Sequence, residues 1–227
     1  MNLSRRTLLT SVIVSFLLVG CASPSVSFLG ASIPQLAYDD VKKRNPPLRL
    51  QLVVEFQRNG EHFPKGDIPL RDYAAQILTD SGVIYPIDVV SAVDDPGEGT
   101  VKVVLNNIAD KDTLAAEESG LALPRWMVGK MITDAYDMSI SITAGGKTIS
   151  RNDIHHAFHT AVGNMEIPRG VEVFPTNVAF GRMLKPMILW ALRDMQRSGE
   201  LSWLGPQFNI AGRFNLNPAV DRSFMRL

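Results

Sequence analysis

The chain has 227 residues, with 23 basic and 23 acidic side chains and a formal charge of zero. Balanced charge leaves no basic excess to hold a phosphate backbone, so nucleic acid is not an expected partner. A single cysteine, Cys21, excludes an intramolecular disulfide, so stability must come from a packed core.

The first segment reads as an export signal. Arg5 and Arg6 form a positive start, and residues 7–20 carry no charge and are mostly apolar. As a helix those residues span roughly 21 Å, short of the ~30 Å hydrocarbon core. The apolar run ends in Leu18-Val19-Gly20-Cys21: an aliphatic residue, a tolerant position, a small residue and the cysteine. That tetrad resembles the lipobox of bacterial lipoproteins. The resemblance implies cleavage before Cys21, a diacylglycerol on its sulfur and an acyl group on its new amine. No cofactor beyond these lipids is expected. Ala22 stands where an Asp would imply inner-membrane retention, which implies a lipid anchor in the outer membrane with the domain facing the periplasm. Ser4-Arg5-Arg6 with Leu8-Leu9 also resembles the twin-arginine export motif, although Thr10 stands where a Lys often follows. Removing residues 1–20 would leave 21 basic against 23 acidic side chains.

Residues 21–47 hold four prolines, several serines and a charge cluster, and read as the anchor and a flexible tether with a reach on the order of 30 Å. Within it, Val26-Ser27-Phe28-Leu29 is a candidate to dock on the domain. A single α+β domain is expected over 48–201. In LRLQLVVEFQ, Leu48, Leu50, Leu52, Val54 and Phe56 alternate with polar residues, a half-buried strand that Asn59-Gly60 ends. DIPLRDYAAQILTDSG is a helix, with Asp67 as its cap, Pro69 in the first turn and Gly82 at the stop. VIYPIDVV is a short strand that Pro86 confines to an edge. DDPGEG is a turn, and TVKVVLNNI a further strand.

Residues 109–133 combine an acidic stretch with apolar residues of no clean period around Pro124, Trp126 and Gly129. They suit packing over the sheet, or an apolar surface for a membrane or partner. AYDMSISIT, AGGK and TISR read as a hairpin. A second helix is expected from Asn152, with Ile154, Ala157, Phe158, Ala161 and Val162 as its buried stripe and Gly163-Asn164 as its end. The longest helix runs from a Thr176 cap to Gly199, with Pro186 inside to kink or split it. Residues 202–227 form an irregular tail.

These elements predict one curved, mostly antiparallel sheet with two or three helices on one face. The layout is similar to small α+β lipoproteins of the Gram-negative outer membrane, among them the plug of the lipopolysaccharide translocon and the activators of peptidoglycan synthases. A shared layout implies little about function.

Three of the four histidines lie in NDIHHAFHT. On a helix, His155 and His159 would stand one turn apart and could grip one metal ion, with Asp153 or Glu166 as a third ligand. The competing reading packs these rings beside the apolar stripe, with His156 on the polar face. No G-x-S-x-G elbow is present, and AGGKTIS lacks the first glycine of a phosphate loop. The leading expectation is therefore a non-enzymatic accessory, assembly or binding factor. It would hold an envelope protein or glycan partner, with Trp126, Trp203 and Phe208 as candidate contacts. The alternatives are a periplasmic metal-dependent enzyme built on His155 and His159, or a carrier of a small hydrophobic ligand.

Overall fold

The structure, a computed structural model, describes residues 25–87, 99–108, 130–163 and 165–204. Its centre is one mixed sheet of eight strands with two helices packed on it, the expected α+β class. The strands are β1 (Ser25–Leu29), β2 (Leu48–Arg58), β3 (Glu61–His62), β4 (Ile84–Ile87), β5 (Gly99–Ile108), β6 (Lys130–Ala144), β7 (Lys147–Val162) and β8 (Phe174–Pro175). They lie in the order β3-β2-β5-β6-β7-β1-β8, with β4 beside β2. Most pairs are antiparallel, but β2 runs parallel to both β4 and β5. The Pro86 strand does sit at the edge, paired among the described residues with β2 alone.

Helix α1 (Asp67–Ser81) turns the stripe Leu70, Ala74, Ile77 and Leu78 onto the sheet and stops before Gly82. Asp67 is not its cap. Its carboxylate instead accepts the Phe56 amide at 2.8 Å and pairs with His62 at 2.8 Å, tying the helix start to the end of β2. Helix α2 (Ala179–Arg197) continues through Pro186, and its buried residues lie nearly all round it. The reason is that it is covered on three sides, by the sheet, by α1 and by the N-terminal segment. Each large apolar side chain buried this way contributes about 1.5–3 kcal/mol. Thr176 does not cap it; its hydroxyl takes part in hydrogen bonds with Ser25 and Ser27 of β1.

Residues 25–47 are part of the fold rather than a free tether. The docking candidate becomes β1, inserted between β7 and β8. The chain then crosses the helix layer and buries Ile33, Leu36 and Val41 in the core. The Lys185 ammonium lies 4.2 Å from the centre of the Tyr38 ring, and the Gln196 amide bonds both backbone groups of Lys42.

The second expected helix is a strand. Residues 152–162 belong to β7, which pairs with β6 over its length and with β1 at its end. Gly145 and Gly146, both at positive φ, make the two-residue turn between β6 and β7. Farther along, Ile140 faces Arg151, but Met138 faces Ile154. Two residues, Asn152 and Asp153, oppose Ser139 alone, which is a β-bulge. Asp153 takes the left-handed conformation, φ 55°. Before the bulge, Ile149 points to the core; after it, Ile154, His156, Phe158 and Thr160 do. Those inward positions include polar His156 and Thr160, while outward Ala157 and Ala161 are apolar. That exchange erased the period of two and mimicked a helical stripe.

Aromatic rings close one end of the inner face. Phe56 lies 6.2 to 6.4 Å from Phe63, Phe180 and Tyr136, centre to centre. A Cβ on Gly66 would fall 2.3 Å from Cγ of Phe56 and 2.8 Å from its Cβ, and no rotamer moves the Cβ away. Gly66→Ala should gain about 0.4–1 kcal/mol from a stiffer unfolded chain. Overpacking should cost about 1–3 kcal/mol and win. The expected result is a lower urea midpoint with an unchanged slope.

Candidate functional site

The two faces of the sheet carry different chemistry, and register assigns every residue to one of them. On the face under the helices, rungs such as Leu52-Val101-Ile142-Ile149 and Phe56-Leu105-Met138-Ile154 cross four strands. The next rung, Arg58-Asn107-Tyr136-His156, is polar although it is buried. Asn107 reaches the Ala135 carbonyl at 3.4 Å. Burial, with the charge of Asp134, pushes the Tyr136 hydroxyl well above its ordinary range, so it stays protonated.

His156 is the most buried histidine, 2% exposed, where the helix reading placed it on the polar face. Its Nδ1 lies 2.9 Å from Oγ of Ser32, in the segment that leaves β1. Its Nε2 has no hydrogen-bond partner among the described residues. Burial, aided by His159, lowers its pKa to about 4, so the ring is neutral at pH 7. A serine hydroxyl on a neutral imidazole can in principle be a nucleophile and its base. Here no acid orients the far nitrogen, and burial makes the ring a weak base. The contact serves as a clamp: with the bond from the Gly30 amide to the Ala157 carbonyl, 2.9 Å, it holds the β1 exit on β7.

His155 and His159 lie on the other face. Four strand residues separate their Cα atoms by about 13 Å, against about 6 Å for one helical turn. The pair therefore does not converge on one ion, which corrects the helical metal reading. Each ring is engaged across a neighbouring strand. Nδ1 of His155 is hydrogen-bonded to Asp137, directly opposite it on β6. Nδ1 of His159 meets the Thr133 hydroxyl at 2.9 Å, and its ring lies 5.0 Å from that of Phe28. Asp153 is the bulge residue. Among the described residues, no group of three or more His, Cys, Asp or Glu is placed to hold a metal ion.

No described helix covers this second face. One rung, Gln57-Asn106-Asp137-His155, presents an amide, an amide, a carboxylate and an imidazole over four strands, about 14 Å wide. The rungs below it include Val53-Lys102-Ser141-Ser150 and Gln51-Thr100-Thr143-Thr148. Lys102 pairs with Glu55 at 2.9 Å. The Gln57 amide, then Lys102, holds the Glu55 carboxyl below its ordinary range. The face is thus a flat grid of hydrogen-bonding groups. Reading residues 152–162 as a helix hid its full width; the alternation of LRLQLVVEFQ and AYDMSISIT was its visible signal.

Of the candidate partner contacts, Trp203 follows α2 in a short 3-10 helix (Glu200–Leu204) and is 55% exposed. Cys21, Trp126 and Phe208 lie outside the described residues. Two shallow grooves border the β1 exit. One, of about 340 Å³, runs beside Leu29, Ile33, Phe174 and Arg182; the other, of about 280 Å³, lies between Ser32, His155 and Trp190.

The pH dependence of His156 has a definite sign. Its ordinary pKa is 6.5 and its folded value about 4. Above pH 6.5 both states are neutral and the stability is complete. As pH falls from 6.5 to 4, the unfolded chain gains a proton that the folded chain refuses, and stability drops by on the order of 3 kcal/mol. Urea midpoints across this range should show the drop, and His156→Gln should flatten it.

No family model matches the chain, and no curated protein matches it. Among solved structures, the chain is similar to a PelC dodecamer from Paraburkholderia phytofirmans. The identity is 11%, over 72% of this chain and 98% of that one, with a TM-score of 0.28.

Proposed function

We propose that this chain is a lipid-anchored protein of the bacterial envelope, held in the outer membrane through Cys21 and facing the periplasm, that acts as a non-enzymatic binding or assembly factor. The observation that carries the binding role is the polar face of the sheet that no helix covers among the described residues. Its rungs offer amides, hydroxyls, one carboxylate–imidazole pair and one ammonium–carboxylate pair, all held rigidly by a fully paired sheet. A partner rich in hydrogen-bonding groups, an envelope glycan or a polar protein surface, suits it. The core of an ordinary protein interface is apolar and aromatic, whereas the central rungs of this face are mostly polar, with Val53 and Val104 among them. The location rests on the lipobox-like Leu18-Val19-Gly20-Cys21 behind an uncharged apolar run.

The anchor is tested by Cys21→Ala in a Gram-negative host. The variant should lose incorporation of labelled palmitate, and wild type should float with the membranes. Wild type without the label would overturn the anchor.

The binding face is tested by a photo-crosslinking residue at Asn106 or Ser141, compared with Asp72 on α1. Adducts from the first two positions, and none from Asp72, are expected in intact cells. They should disappear in the double variant Asp137→Ala, His155→Ala. Adducts from Asp72 alone, or from no position, would overturn the assignment.

A further inference from the structure

The proposed anchor and the fold together specify which surface of the domain meets the bilayer. This inference rests on the lipid-anchor reading and deepens it. A tether of 26 residues would leave the domain free to take any orientation. The structure leaves no such length. Ser25 is already the first residue of β1, held by Val162 of β7. Ser27 is hydrogen-bonded to Thr160 at 2.8 Å and to Thr176 at 3.1 Å, which pins the strand on both sides. Between Cys21 and Ser25 there are four peptide steps, which span at most about 14 Å. The acyl chains on Cys21 would therefore hold the beginning of β1 against the membrane surface.

What lies within that radius can be read from register. Lys130 and Ser25 both face Val162, so an exposed ammonium stands two strands away. Met165 is three residues beyond Val162. Val173 precedes Phe174, which faces Ser27. Val178 is two residues beyond Thr176, whose hydroxyl is 3.4 Å from that of Ser25. These three apolar side chains are 37%, 47% and 37% exposed. The nearby carboxylate of Glu172 is paired with Arg182, which also lies 5.0 Å from the Phe174 ring centre. Val171, 36% exposed, lies two residues before Val173 and extends this apolar group. Such a group beside a short lipid leash, with a lysine on the same rim, matches an interfacial contact.

We propose that the β1–β8 edge of the sheet, through Met165, Val173 and Val178, rests on the bilayer at the headgroup–acyl boundary. The leash length decides in favour of lipid over a protein partner, because it brings this edge to the membrane before anything else. The opposite end of the sheet, the Gly145–Gly146 turn, lies about 45 Å along β6 from Lys130 and projects into the periplasm.

The test uses the full chain, purified from membranes and reconstituted in phosphatidylcholine–phosphatidylglycerol vesicles. Nitroxide labels are placed at Val173→Cys, Val178→Cys and, as a distant control, Lys147→Cys. All three positions are exposed, so folding is preserved. At 173 and 178 the label should be several-fold more accessible to oxygen, relative to a water-soluble nickel chelate, than at 147. Labels at 173 and 178 as open to nickel as that at 147 would overturn the proposal. So would labels shielded from both reagents, which would report a contact between copies. The mass of the N-terminal peptide separates the two readings. An acylated Cys21 with water-exposed labels removes this surface alone. An unacylated Cys21 removes the anchor, and this surface with it.

Discussion

The bulge at Asn152–Asp153 is the constraint on which the rest of the sheet depends. A strand has a period of two, so one inserted residue exchanges its faces. Upstream of the insertion, Ile149 joins the core; downstream, Ile154, His156 and Phe158 do so. Without it, the downstream half would send His155 and Ala157 inward and leave Phe158 in solvent. The same phase sets β1, because Phe28 faces His159 and Leu29 faces Phe158. Asp153 accepts a left-handed backbone at this point, which Asp tolerates better than most residues.

The N-terminal segment is the second determinant. It completes the sheet through β1, then crosses α2 and returns to the sheet as β2. This path, together with α1 and the sheet, explains why α2 is buried nearly all round. It also explains why Ser32 can reach His156. A buried imidazole with one unmet nitrogen is costly, and the bond at Nδ1 recovers part of that cost. A segment with the composition of a tether thus became a structural strap, which leaves three residues between Cys21 and the first strand.

At the other corner, charges hold the end of α2. Arg151, inward-facing beside the bulge, is paired with Asp194 on the helix and with Glu200 just beyond it. The pairs are partly exposed, so their direct contribution is modest. Their geometric effect is larger: they fix the helix terminus to the strand at the place where the phase changes. The inner face is therefore closed by helices, aromatic rings and this ion cluster. The outer face carries the hydrogen-bonding rungs, and no helix covers them among the described residues.

Much of the fold was legible in the sequence, for reasons that are local. β2, β5 and β6 alternate cleanly because one face is apolar core and the other is solvent. α1 has its apolar residues at spacings of three and four, and Gly145-Gly146 demands a tight turn whatever surrounds it. The single cysteine behind a charged start and an apolar run is likewise a local pattern. Three features were not local, and only the tertiary structure decided them. β7 places polar His156 and Thr160 inward, where Ser32 and Ser27 meet them, and these lie far off in sequence. β1 is ordered because β7 and β8 supply its hydrogen bonds. The faces of His155, His156 and His159 follow from the bulge, which is defined only by pairing with β6. A residue's side of a sheet is a property of register, and register belongs to two strands at once.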